Sequence, residues 1–270
     1  IRAYRNTPLE AHDKMAIQLN ERDHLIFRLI DEHEVLLEKH ISWFIAGDEK
    51  PVLIRDRLRK LFYLDFLLCQ RHGSKLPWWT TPTKPLVYML SPMARKMHGF
   101  GENQDDVLDS DFQRHHLEIA NLRMLFLVAQ KNGIISDLTW TTFKRERQVE
   151  TGLNARVTFK HGGETKSLGL VNNPEVSDIS VQHLLKSQLA EKLDWTLVIT
   201  REEADQKAVK ASLAALGEKV LFSTHQDLYR EGIMSSTWQN LDNANINLAT
   251  GLTLTTPTYM ASYTSPPIAV

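Results

Sequence analysis

The stretch PVLIRDRLRKLFYLDFLL, residues 51–68, sets the interpretation of the first third of the chain. Pro51 stands where a helix often begins, and apolar residues recur behind it at helical spacing. We expect one side of this helix to point inward: Leu53, Ile54, Leu58, Leu61 and Phe62. The other positions include four cations: Arg55, Arg57, Arg59 and Lys60. The pattern therefore predicts an amphipathic helix with a basic outer face.

The segments around this helix predict a compact unit spanning residues 1–98. Asn20 can cap a first helix, and residues 35–45 have the apolar spacing of a second one. After the basic helix, the chain turns at Gly73-Ser74, and LVYML (Leu86–Leu90) returns as an apolar strand. Three helices followed by a two-stranded wing predict a winged helix-turn-helix, which ordinarily places its third helix in the major groove of DNA. Double-stranded DNA is therefore the expected partner.

The wing adds further candidate DNA contacts to those of the basic helix. Its cations are Arg71, Lys75 and Lys84, and its loop carries Trp78 and Trp79. Aromatic rings among basic residues can stack on bases or enter a groove, but these two rings could equally pack the wing onto a second domain. A second interpretation of the whole unit is a protein-interaction adaptor, because Asp56 and Asp65 lie in the same basic segment and charged helix faces are commonly just solvated.

Composition limits where DNA affinity could arise. Hydrophobic content of 42% and charged content of 24% are typical of a globular protein. The net charge is only -1, so nucleic-acid binding must come from a local basic patch. Cys69 is the single cysteine, which excludes an intramolecular disulfide and a cysteine metal cluster and fits a cytoplasmic protein. No apolar run approaches the roughly 18 residues of a membrane span, so no membrane association is expected.

The remainder of the chain predicts a second, α/β domain at residues 112–240. A polar, acidic segment at 99–111 is the expected linker, and a long amphipathic helix follows it. Residues 137–148 alternate as in a strand, and Gly162-Gly163 mark a hairpin turn. Helices then alternate with two fully apolar strands, the expected buried parallel interior of a mixed central sheet. Residues 241–270, rich in Thr, Ser and Pro, are expected to form an extended tail.

The ordered set of segments resembles the replication-relaxation family, which includes MobC-type plasmid relaxases and pairs a winged helix with a restriction-endonuclease-like domain. The likeness covers about residues 20–240 and is carried by LNERDHLIFRLIDEH, IRDRLRKLFYLDFL, PLVYMLSPMARKM, HHLEIANLRMLF, WTLVIT, KVLFSTHQDL and the tryptophan of SSTW. This resemblance implies a DNA-binding protein of a mobile genetic element. It would recognise an origin-like site in plasmid mobilisation (conjugation) or replication, with relaxosome or replication proteins as partners and a homodimer as a plausible assembly.

The sequence departs from the nuclease pattern that the resemblance implies. The family hairpin would carry Pro-Asp where NARVTF (154–159) stands, and an acidic strand where LGLVNNPE (168–175) stands. Asn172 and Asn173 replace the expected carboxylates, and neutral amides bind Mg²⁺ far less well. We therefore expect no catalysis, no cofactor and no metal ligands. Mg²⁺ or Mn²⁺ would be needed only if the domain were active.

An active, metal-dependent DNA-nicking relaxase or endonuclease remains the alternative, with four catalytic candidates. Glu118 lies on the long helix, Glu146 on the first expected strand, and Glu164 and Lys166 form an isolated E-x-K. The E-x-K follows Gly162-Gly163 directly, so a polar hairpin turn explains it as well. His115 and His116 stand near Glu118, but adjacent helical residues point about 100° apart and make a poor ligand pair.

Overall fold

The fold is described from a computed structural model, which defines residues 18–47, 49–101, 105–176 and 180–248. Within these ranges the chain forms a mixed α/β structure with two sheets, one of three strands and one of seven. Among the helices of the described ranges, none is both long enough and apolar enough to cross a membrane.

The first sheet belongs to an N-terminal unit of four helices and three strands. Its elements are α1 (Glu21–His33), β1 (Leu36–Leu37), α2 (Glu38–Ala46), α3 (Pro51–Tyr63), β2 (Leu67–Arg71), β3 (Leu86–Leu90) and α4 (Pro92–His98). Asn20 caps α1 through a reciprocal capping box with Asp23, and Pro51 opens α3. The strands are antiparallel in the order β1-β3-β2.

The prediction of a helix over residues 35–45 was wrong at its start. Leu36 and Leu37 form β1 and pair with Tyr88 and Val87 of β3, and α2 begins only at Glu38. Both leucines are buried against the neighbouring strand. Pairing with β3 satisfies their backbone groups, so tertiary contact overrides the local helical spacing.

The core of the N-terminal unit confirms most of the inward side expected for α3. Ile54, Leu58 and Leu61 are fully buried. Leu53, however, is exposed, because it precedes Ile54 by one residue and so points about 100° away from the buried face. Its neighbour Val52 is exposed as well.

A 22-residue helix, α5 (Ser110–Lys131), joins the two sheets. Its first turn is capped by the Asp109 carboxylate, and a short 3₁₀ turn (Asp105–Leu108) precedes it, so the end of the expected linker is structured. Ala120 packs into the N-terminal core, whereas Phe126 packs into the core of the larger sheet. The helix is therefore shared by both cores.

The larger sheet has the strand order β10-β9-β8-β7-β6-β5-β4. Its elements are β4 (Ser136–Thr142), α6 (Arg145–Thr151), β5 (Ala155–His161), β6 (Glu164–Asn172), α7 (Val181–Ala190), β7 (Trp195–Thr200), α8 (Glu203–Ser212), β8 (Val220–Thr224), α9 (His225–Glu231), β9 (Trp238–Gln239) and β10 (Asn245–Ile246). A 3₁₀ turn (Ala214–Lys219) lies between α8 and β8. Strands β6, β7 and β8 are parallel and the other pairs antiparallel, which confirms the mixed sheet with a buried parallel interior.

Helices cover both faces of this sheet. Leu197 and Ile199 of β7 pack on the side of α5 and α9, whereas Val198 between them packs on the side of α7 and α8. This alternation follows from the two-residue side-chain period of a strand.

Two expectations for the second unit need correction. Residues 137–148 are not one strand: β4 ends at Thr142 and α6 begins at Arg145, so Glu146 lies on a helix. Phe143, the residue after the strand, is buried, and its carbonyl accepts a hydrogen bond from the Gln148 side chain. The beginning of the expected tail, 241–248, instead completes the sheet through β10, and residues 249–270 of that tail lie outside the described ranges.

Candidate nucleic-acid interface and a buried polar cluster

The outward side of α3 presents a mixed apolar and basic surface. We call the residues Val52, Leu53, Arg55, Asp56, Arg59 and Lys60 the outer face of α3; all six are exposed. Arg55 Nε donates to Glu38 Oε1 at 2.9 Å. Within the described part of the chain, Arg59 and Lys60 form no ion pair. Among the described residues, the outer face therefore holds two unpaired cations, Arg59 and Lys60, and one cation, Arg55, that is paired with the Glu38 carboxylate.

Arg57, expected among the DNA contacts, is instead part of the fold. Its guanidinium binds the Asp23 carboxylate through Nε, at 2.6 Å, and through Nη2, which also donates to the carbonyl of Gln18 at 3.3 Å. Hydrogen bonding to Asp23 raises the pKa of Arg57. Asp23 is fully buried, so the Arg57 donors neutralise a charge inside the protein and are not free to bind DNA.

The hairpin formed by β2, β3 and the loop between them, which we call the wing, carries its three candidate cations on an exposed surface. Arg71 lies at the end of β2, and Lys75 and Lys84 lie in the loop between β2 and β3. Arg71 Nη1 donates to the Lys84 carbonyl at 3.2 Å, which ties the two ends of this loop together. These cations therefore occupy one connected segment.

The two tryptophans of the wing loop also have internal roles. Trp78 is only 4% exposed, packs among apolar side chains that include Leu117 of α5, and lies 6.1 Å, centroid to centroid, from the ring of His225 in the second unit. Trp79 Nε1 donates to the Thr83 carbonyl at 2.6 Å. Trp78 thus packs the wing against the second unit and is not exposed for stacking on a base; Trp79 is partly buried and held within the loop.

A buried polar cluster lies where the parallel strands of the larger sheet end. Asn172 is the last residue of β6, Arg201 follows β7, and His225 follows β8. Glu118 of α5 faces all three. The carboxyl ends of parallel strands are the usual position of ligand sites in α/β proteins, so this cluster is the second candidate site.

The Glu118 carboxylate is the centre of the cluster and is fully buried. It accepts hydrogen bonds from Arg201 Nε at 2.8 Å and Nη2 at 3.2 Å, from Arg114 Nε at 3.0 Å, and from Asn172 Nδ2 at 3.1 Å. Burial by itself would raise the pKa of Glu118, but the hydrogen bonds and charge of Arg201 and the hydrogen bond from Asn172 lower it below its ordinary value. The carboxylate is therefore ionised and shared by two guanidinium groups.

Asn172 is oriented by this carboxylate, whereas Asn154 and Asn173 bind backbone N–H groups of the cluster. Because Asn172 Nδ2 donates to Glu118, its Oδ1 faces His225 Nε2 at 2.6 Å and accepts from it. Burial lowers the pKa of His225 to about 4, so the ring is neutral at pH 7. Asn154 Oδ1 accepts from the backbone N–H of Asn172 at 2.6 Å, and Asn173 Oδ1 accepts from that of Arg201 at 3.1 Å.

The four catalytic candidates from the sequence are not brought together. Glu118 is in the cluster, but Glu146 is exposed on α6. Glu164 and Lys166 pair with each other at 2.7 Å beside the hairpin turn. Glu164 is eight residues before Asn172 on β6, which corresponds to about 26 Å along an extended strand. The E-x-K therefore forms the polar end of a hairpin, and the four expected residues do not form a common site.

The polar cluster does not fit a catalytic divalent metal. Mg²⁺ prefers carboxylate oxygens, whereas Asn154 and Asn172 offer amides, and N–H groups already point at both oxygens of Glu118. Arg201 supplies the positive charge beside the carboxylate. Among the described residues, no group of three or more His, Cys, Asp or Glu side chains is arranged to hold a metal ion.

Near this cluster, ion pairs join α1 to the second unit, and a small cleft lies beside them. Lys144 Nζ contacts Asp31 at 2.8 Å, and Arg123 of α5 contacts Glu32 at 3.0 Å. The cleft has a volume of about 250 Å³, and its walls include His115 and His116 of α5. Both acidic and basic groups line it, so its charge favours neither an anion nor a cation.

The sequence analysis named Glu118 as a catalytic candidate and Asn172 as a departure from the nuclease pattern, but it missed Arg201 and His225. A usable signal existed, because each missed residue is the first one after a buried, mostly apolar strand that the sequence had located. The comparisons with known proteins add no family: the sequence matches no protein-family model, and no curated protein is similar enough to be a relative.

Proposed function

We propose that the protein binds double-stranded DNA through its N-terminal unit, with α3 in the major groove and the wing on the phosphate backbone. The observation that carries the proposal is the chain order α1-β1-α2-α3-β2-β3 with the sheet order β1-β3-β2, together with exposed cations on α3. This is the element arrangement of winged-helix proteins, whose third helix ordinarily enters the groove.

The charges of the outer face support this mode of binding. Arg55, Arg59 and Lys60 outnumber the one acidic residue exposed among them, Asp56, while the whole chain carries a net charge of only -1. Arginine can donate two hydrogen bonds to guanine in the major groove. Wing cations suit phosphates, which position a protein on DNA without specifying sequence.

The second unit acts in this proposal as a scaffold with a nuclease-like arrangement and no metal chemistry. Its wing contact through Trp78 and its ion pairs to α1 hold it against the N-terminal unit. The resemblance to the replication-relaxation family supports an origin-like duplex of a mobile element as the target, with a homodimer or other relaxosome or replication proteins as partners.

Fluorescence anisotropy across a salt series tests the proposal, with a duplex from the DNA neighbouring the gene as probe. Arg59→Ala/Lys60→Ala removes the two unpaired cations of the outer face. Lys186→Ala/Lys207→Ala is the matched control, because it removes the same charge from exposed positions on α7 and α8. Affinity should fall in the first variant only, and each of the two cations that contacts a phosphate should lower the magnitude of the slope of log affinity against log salt by about one.

Three other results would redirect the proposal. Equal losses in the two variants would contradict an interface on α3. Affinity that does not depend on salt would favour the protein-interaction adaptor, since phosphate contacts release counterions. Mn²⁺-dependent nicking of supercoiled DNA, lost in Glu164→Ala, would favour the relaxase alternative.

A further inference from the structure

Two large apolar side chains are exposed on the first turn of α3. Val52 is 61% exposed and Leu53 is 55% exposed, although the helix has a well-packed inner face at Ile54 and Leu58. Neither Val52 nor Leu53 belongs to any apolar cluster formed by the described residues. Their side chains therefore contribute little to the packing of the fold.

These two residues share their helix face with cations. Val52 lies three and seven residues before Arg55 and Arg59, and Leu53 lies seven residues before Lys60. Residues at these spacings stand on the same side of a helix. The outer face of α3 therefore begins with two apolar side chains and continues with three cations and one acidic residue, Asp56, which follows Leu53 by three residues.

DNA offers a surface with the same two properties. Thymine presents a C5-methyl group in the major groove, an apolar feature that the other three bases lack there. Phosphates flank the groove and match the cations. In winged-helix and related proteins, the N-terminal residues of the groove-entering helix contact the base edges.

We propose that Val52 and Leu53 contact thymine methyl groups in the major groove and so give the protein a preference for thymine at the bases that face the first turn of α3. This inference rests on the proposed function. The site that α3 prefers is a groove edge that carries methyl groups. Arg55, Arg59 and Lys60 then lie toward the bases and phosphates beyond it.

Replacing thymine with deoxyuridine tests the proposal, because the substitution removes only the methyl group. The probes are the alternating duplexes poly(dA-dT) and poly(dA-dU), measured at the same salt concentrations. From the burial free energy of one carbon group, the wild-type protein should bind poly(dA-dT) about fourfold more tightly if one methyl is contacted and about fifteenfold if two are.

Val52→Ala/Leu53→Ala should bind both duplexes equally, with an affinity close to that of the wild type for poly(dA-dU). Leu189→Ala is the matched control, since Leu189 is 79% exposed on α7, and it should keep the full preference. All three substitutions remove exposed side chains, so circular dichroism should show unchanged folding.

The outcomes separate this inference from the proposed function. Salt-dependent binding with equal wild-type affinity for the two duplexes would overturn the thymine contact and leave DNA binding in place. A preference that survives in Val52→Ala/Leu53→Ala would overturn the assignment to these side chains. Absence of salt-dependent binding to either duplex would overturn both proposals together.

Discussion

Replacing Arg57 by alanine should destabilise the protein far more than replacing its neighbour Arg59. The Asp23 carboxylate is fully buried. Among the described residues, its only partner outside the cap of α1 is Arg57. Removing one member of a buried pair leaves a desolvated charge and costs about 3–5 kcal/mol. Arg57 itself is 18% exposed, and Asp23 keeps a hydrogen bond from the Asn20 N–H at 2.8 Å, so we expect a value near the lower limit, about 3 kcal/mol.

Urea unfolding at pH 7, followed by circular dichroism, measures the effect. Arg59→Ala is the matched control and should change the free energy of unfolding by less than about 0.5 kcal/mol, because Arg59 is exposed and unpaired in the described part of the chain. Asp23→Asn/Arg57→Ala should recover part of the loss, because it removes the unpaired charge, with a coupling of at least about 1 kcal/mol. Equal stability of Arg57→Ala and Arg59→Ala would refute the reasoning.

Two further predictions concern buried groups. Burial lowers the pKa of His40 and His116 to about 3 and that of His225 to about 4, below the value of 6.5 expected in the unfolded chain. Below pH 6.5 the unfolded state therefore binds more protons than the folded state. The contribution of each histidine to the free energy of unfolding should be fully present above about pH 6.5 and fall by about 2 kcal/mol at pH 5. Equal urea midpoints at pH 8 and pH 5 would contradict this. Trp78→Ala should cost about 3–5 kcal/mol of unfolding free energy by opening a cavity between the wing and α5, and a loss below about 1 kcal/mol would show that the wing does not depend on this packing.

The elements that the sequence predicted well carry strong local patterns. WTLVIT matches β7 residue for residue, because a short, mostly apolar run with β-branched residues is typical of a buried parallel strand. The hairpin between β5 and β6 turns at Gly162 and Gly163, both with positive φ, a conformation that favours glycine. In each case the information lies within a few neighbouring residues.

The elements that were missed depend on contacts distant in sequence. Leu36 and Leu37 become a strand because of Tyr88 and Val87, about fifty residues later. Arg57 was assigned to a DNA interface because its partner, Asp23, belongs to another helix 34 residues away. Helical spacing shows which side a residue occupies, but it contains no information about which carboxylate meets it there.

The candidate site shows the same division. Glu118 was named from the sequence as a catalytic candidate and Asn172 as a departure from the nuclease pattern that the resemblance implies, whereas Arg201 joins them only because β6 and β7 are parallel and end at the same edge. Strand order is a property of the complete fold. The composition of the cluster could therefore be read only once the topology was known.

Affinity cleavage tests the central claim, that α3 enters a DNA groove, most directly. Asp56→Cys, in a Cys69→Ser background, places an iron–EDTA label on the exposed side of α3 without removing a cation. Asp205→Cys places the same label on exposed α8. With an end-labelled duplex, the account predicts cleavage confined to a few base pairs from the α3 label and none above background from the α8 label. Equal, diffuse cleavage from both labels would contradict it.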